Sequence, residues 1–162
     1  YAYFLQLYRK YIGPIADIFA YCLLGNHFHF LVRIKDLDFQ ELRSSKERSS
    51  YLGQRVATFF GTYTKAINKA YDRSGSLFEK NFKRKPVASD KYFYSLLTYI
   101  HFNPKKHGFV DDFRDWPYSS YPALCDTEDT FLDRIEVLSR FDGLDGFLLF
   151  HEDMANFNLS FG

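Results

Sequence analysis

The sequence predicts an α+β fold, an antiparallel sheet with helices packed on one face. Three observations carry this. Two β-prone runs, 15–24 and 27–34, lie either side of the turn signal Gly25-Asn26 and read as a hairpin. Apolar residues recur at helical spacing in 2–12, 51–72 and 91–103. The chain of 162 residues is 46% hydrophobic and 20% aromatic, which suits one core and excludes a disordered chain.

The elements follow in order. Residues 2–12 place Phe4, Leu5, Tyr8 and Ile12 on one helical face, and Gly13-Pro14 ends that helix. The hairpin comes next. The Ser-rich stretch 40–50 reads as a loop. Residues 51–72 return to helix through Leu52, Val56, Phe59, Phe60, Tyr63, Ile67 and Tyr71, until Ser74-Gly75 breaks it. Residues 76–87, ended by Pro86, read as a basic edge strand. Ser89-Asp90 offers an N-cap for a helix over 91–103 that stops at Asn103-Pro104. From residue 128 the tail reads as one or two short acidic helices, with turns at Asp142-Gly143 and Asp145-Gly146. A ferredoxin-like arrangement needs one more strand before residue 1.

Charge is uneven although the net value is only +1. Between 65 and 106 lie Lys65, Lys69, Arg73, Lys80, Lys83, Arg84, Lys85, Lys91, Lys105 and Lys106, against Asp72, Glu79 and Asp90. After 110 the acids dominate. A basic middle suggests a face for a polyanion. Lys80, Lys83, Arg84 and Lys85, with Lys105 and Lys106, are candidates to neutralise phosphates, and Phe78, Phe82 or nearby tyrosines to stack on an unpaired base. No apolar run is long enough to span a bilayer, so no membrane partner is expected. Cys22 and Cys125, far apart, read as reduced thiols of a cytoplasmic protein.

The stretch "YCLLGNHFHFLVRI" holds His27 and His29 two residues apart. Strand side chains alternate, so both share a face with Leu31 and Arg33, which leaves Phe28, Phe30, Val32 and Ile34 for the core. Two imidazoles side by side can converge on one metal ion or one phosphate. His101, His107 and His151 are scattered along the chain and supply no obvious third ligand. Tyr99 and Asn103 are i and i+4, so they share a helical face. An amide oxygen can ligate a metal, and a tyrosine hydroxyl is a nucleophile in some enzymes. Each feature also has a plainer reading: solvent-facing histidines, a packing tyrosine among 13, and a helix-terminal asparagine.

In series, "YCLLGNHFHFLVRI", "LFEKNFKRKPV", "YFYSLLTYIHFNPKKHGFV" and "WPYSSY" resemble the HUH single-tyrosine transposase family, in its branch of REP-associated tyrosine transposases. The resemblance covers most of 1–121. It implies a ferredoxin-like catalytic domain over 1–121, with 122–162 as an acidic helical extension packed on it. It implies that His27, His29 and Asn103 hold a divalent metal and that Tyr99 is the nucleophile. The expected activity is cleavage of single-stranded or hairpin DNA and strand transfer through a 5′-phosphotyrosine. Two imidazoles alone favour Zn or Mn; the resemblance points to Mg or Mn. Family members begin with a strand ahead of the first helix, and this sequence starts at that helix, so the strand either precedes this sequence or is lost. Its loss would present a sheet edge, which invites a homodimer. Two rivals remain: a DNA-binding protein of the same fold without cleavage activity, and a metal-dependent hydrolase in which Tyr99 is dispensable.

Overall fold

A computed structural model describes residues 1–36, 44–79 and 83–159, the side chains of 157–159 excepted. Among the described residues the fold is α+β, with helices packed against a small antiparallel sheet of two strands. It divides into two compact units, Tyr1–Ala16 with Ile34–Pro86, and Asp17–Arg33 with Val87–Gly162. Among the described residues no helix is long and apolar enough to cross a membrane.

In the first unit, α1 (Ala2–Tyr11) buries Phe4, Leu7 and Tyr8. It stops at Gly13, where a Cβ would meet the Arg9 carbonyl oxygen at 2.7 Å, so only glycine lets the chain turn so tightly there. The long α2 (Ser45–Ala70) packs on α1 through Phe59, whose ring lies 4.8 Å from Phe4 and 6.0 Å from Tyr8. Arg55 of α2 donates to the carbonyls of Tyr11 and Lys10, satisfying the open C-terminal end of α1. The helix starts six residues ahead of the periodic reading, within the stretch read as a loop. The cause is a capping box: Ser44 Oγ accepts from the Glu47 N–H, and the Glu47 carboxylate accepts from the Ser44 N–H.

The strand expected over 76–87 is absent among the described residues of that segment. Phe78 instead packs its ring on Phe60 at 4.7 Å. The run Lys83-Arg84-Lys85 offers no apolar alternate face to bury, and all three are exposed.

The second unit is built on the hairpin of β1 (Ala16–Leu23) and β2 (Phe28–Ile34). β1 is almost wholly buried, and its outer edge is occupied. Ile18 O accepts from the Asp133 N–H, Leu23 N–H donates to Tyr118 O, and the Trp116 indole donates to Leu23 O. On β2 the expected core face is overturned. Leu31 is the buried residue, Phe28, Phe30 and Val32 are half-buried, and Ile34 is exposed. The histidine face is the one that α3 covers, so Leu31 goes inside.

Helix α3 (Asp90–Lys106) is capped by Ser89 Oγ and buries Phe93, Leu97, Ile100, His101 and Asn103. It runs through Pro104 for one further turn, where stopping at Asn103 was expected. The turn survives because His107 N–H returns to Asn103 O and Phe109 N–H to Pro104 O, so the missing proline donor costs a single bond. A short 3-10 turn (Phe113–Asp115), α4 (Ser120–Cys125), α5 (Arg134–Ser139) and α6 (Leu144–Leu159) complete the unit. Phe113 stacks on Phe102 at 4.0 Å, and Phe147 lies 5.5 Å from Tyr121.

A chain of polar groups crosses this core, and its direction can be deduced. His151 Nδ1 lies 2.9 Å from the Phe147 carbonyl, which only accepts, so that nitrogen carries the proton. Burial holds His151 down at about 4, so its ring is neutral near pH 7 and its Nε2 must accept from His101 Nδ1, 2.9 Å away. His101 Nε2 then accepts from the Ser120 hydroxyl, and Ser120 Oγ accepts from the Tyr21 N–H. Every member of the chain is satisfied.

Candidate functional site

β2 and α3 bring the four residues singled out by the resemblance into one place. His29 on β2 and His27, the residue just before that strand, face α3, and the i, i+4 spacing on α3 stacks Tyr99 and Asn103 one turn apart facing them. His27 Nε2 lies 3.2 Å from Asn103 Oδ1. The His29 and Tyr99 rings meet edge to face at 5.2 Å. Asn103 is fully buried and its amide nitrogen leans toward the Tyr99 carbonyl at 3.5 Å; the Tyr99 side is open to solvent.

Both ring nitrogens of His27 are engaged: Nδ1 lies 2.7 Å from Asn26 Oδ1 and Nε2 lies 3.2 Å from Asn103 Oδ1. Across the site, His29 Nε2 is buried and has no hydrogen-bond partner. Burial first, then the His27 and His107 rings, hold His29 below the usual histidine range, which keeps its lone pair free near neutral pH.

The unpartnered His29 Nε2, the His27 imidazole and the Asn103 amide oxygen are together a donor set that fits a divalent cation. Adjacent ligands of an octahedral ion with bonds of roughly 2.1 Å stand about 3 Å apart, close to the His27–Asn103 separation. Among the described residues no group of three or more His, Cys, Asp or Glu side chains is placed to hold a metal, so an ion here depends on the Asn103 oxygen as well as the imidazoles.

One nearby residue escaped the sequence reading as a member of the site. His107 packs its ring on His27 at 4.9 Å. Its position, i+4 from Asn103, continues the Tyr99–Asn103 face by one turn, and that spacing was the available signal. Lys106, expected at phosphates, sets its Nζ 5.1 Å from the centre of the Tyr99 ring. Lys105 is exposed beside it. Lys83, Arg84 and Lys85 are exposed in the other unit. Lys80 and Phe82 lie outside the described residues.

No protein-family model matches the chain, and no solved structure matches it. The chain is similar to a Haemophilus influenzae protein named "Putative REP-associated tyrosine transposase", with 31% identity over 105 residues. That stretch is 63% of this chain and 57% of the relative, so the chain spans little more than half of the relative's length.

Proposed function

We propose that this chain is a DNA nicking and joining transesterase of the HUH single-tyrosine type, acting on single-stranded or hairpin DNA. The observation that carries the reading is the approach of His27 and His29, at the start of β2, to Tyr99 and Asn103 on one helix, with the buried His29 Nε2 left without a hydrogen-bond partner. The similarity to a protein named as a tyrosine transposase supports the same reading. In it, the hairpin and its helices belong to a ferredoxin-like catalytic domain over 1–121, and 122–162 is an extension of that domain.

The Tyr99 hydroxyl attacks the scissile phosphorus. A bond forms from the phenolic oxygen to phosphorus, and the bond from phosphorus to the 3′ oxygen of the preceding nucleotide breaks. The phenolic proton leaves to solvent, and the departing 3′ oxygen takes one up. The products are a 5′-phosphotyrosine and a free 3′-hydroxyl, with the phosphodiester energy retained for rejoining. His27, His29 and Asn103 would hold a divalent ion, Mg or Mn, which supplies charge neutralisation at a non-bridging phosphate oxygen. Lys106 adds positive charge beside the attacking ring. The buried Asn103 side chain ties the helix turn that carries Tyr99 to the histidine strand.

The test is a denaturing gel of protein incubated with labelled single-stranded DNA and Mn. Wild type should give a covalent protein–DNA band, and Tyr99→Phe should lose it while keeping DNA affinity. An adduct that persists in Tyr99→Phe would end this reading.

A further inference from the structure

Residues of α3 and α6, Tyr99 among them and no histidine, line a groove of about 980 Å³. It rests on the reading of Tyr99 as the attacking residue, and it extends that reading to the substrate. We propose that this groove is a subsite for an unpaired base of single-stranded DNA next to the scissile phosphate.

Shape, chemistry and charge argue for it together. Tyr94, Phe102 and Phe150 give it aromatic walls, and Met154 gives it a soft apolar one. The aromatic walls are already fixed. The Tyr94 hydroxyl donates to the Arg140 carbonyl at 2.8 Å, Phe102 is stacked on Phe113, and Phe150 lies against Phe141 at 5.2 Å. A base that stacks there therefore orders little protein, and stacking on aromatic rings is the general means of holding single strands.

The rim carries Lys91, Lys105 and Lys106, and no acid lines the groove among the described residues. The basic rim stands out because the neighbouring tail is acidic. Lysines spaced along α3 from 91 to 106 follow the line a phosphate backbone would take past Tyr99. The Ser95 and Thr98 hydroxyls donate to the carbonyls of Lys91 and Tyr94, which leaves their oxygens able to accept from a base N–H. An apolar peptide would satisfy the walls but not this ring of cations.

The experiment is photo-crosslinking of the full chain to a mixed-sequence single strand in which thymine is replaced by 5-iodouracil, with the cross-linked peptides mapped by mass spectrometry. Cross-links to Tyr94, Phe102, Phe150 or Met154 are expected. Cross-links found only on other peptides would overturn the subsite. Ala155→Trp, which fills the groove, should weaken binding of the unmodified strand roughly ten-fold, the loss of one stacked base, and abolish the cross-link. Unchanged affinity in that variant would also overturn it. The covalent-adduct gel separates the two ideas. Groove cross-links without an adduct would remove cleavage and keep the subsite, whereas an adduct with cross-links elsewhere would do the reverse.

Discussion

Asn103 Oδ1 stands 3.2 Å from His27 Nε2, so the helix that carries Tyr99 meets the histidine segment at a polar contact. Beside it the buried His29 Nε2 has no hydrogen-bond partner, a cost that a cation would turn into a gain. His29, one of the residues proposed for binding an ion, is therefore a residue that destabilises the chain without one.

His29→Phe makes that statement measurable. The ring keeps its shape, and a buried nitrogen without a partner is removed. Stability of the metal-free protein should rise by about 1 kcal/mol, seen as a higher denaturant midpoint. Binding of Mn in a calorimetric titration should disappear. A destabilised variant that still binds Mn would contradict both halves of the expectation.

The buried imidazoles set a dependence on acid. His101 and His151 are held below the ordinary value of 6.5, His101 well below it and His151 at about 4, mainly by burial. Unfolding exposes them, and the unfolded rings take up protons that the folded ones refuse. Stability is full above about pH 6.5 and falls toward pH 4, by up to roughly 1.4 kcal/mol per pH unit for each ring. Urea midpoints measured across that range should show the decline. A flat profile would mean that the unfolded chain binds no more protons than the folded one.

Gly146 should not tolerate a side chain. A Cβ there would run into the carbonyl oxygen of Phe141, which is backbone and cannot swing aside. Gly146→Ala should cost about 2 kcal/mol or more in thermal or chemical unfolding, although alanine favours helices in general.

Charge reversal at Lys83 and Arg84 tests whether that segment grips DNA. For a single strand each lost phosphate contact should flatten the log–log dependence of affinity on salt by roughly 0.7. Fluorescence anisotropy at several salt concentrations reads the slope. Affinity for Mn should stay the same, because neither residue belongs to the metal site.

Much of the candidate site was legible because its spacing is local. Period two placed His27 with His29, and a four-residue step placed Tyr99 with Asn103. His107 takes the next four-residue step, but what makes it matter is its contact with a ring 80 positions earlier, and no helical period reports that. The pairing of His101 with His151 is hidden for the same reason. The wrong face chosen for the core of β2 has another cause. The face of Phe28, Phe30, Val32 and Ile34 is the apolar one in sequence, and the docking of α3 on the histidine side, which no local pattern reports, buries Leu31 instead. The basic strand over 76–87 failed on composition, since a run of cations followed by proline has nothing to offer a sheet.

The one-way hydrogen-bond chain from Tyr21 to Phe147 sets a limit on how far the chain can be trimmed. It fastens the last helix to the strand paired with the histidine strand, through side chains that have no spare protons with which to rearrange. A stop placed before His151 strands His101 with an N–H pointing into an empty space and opens the aromatic cluster around Phe147. A stop just beyond Asn156 removes none of these links. As far as His151 the acidic tail is thus the back wall of the room that holds the buried His101.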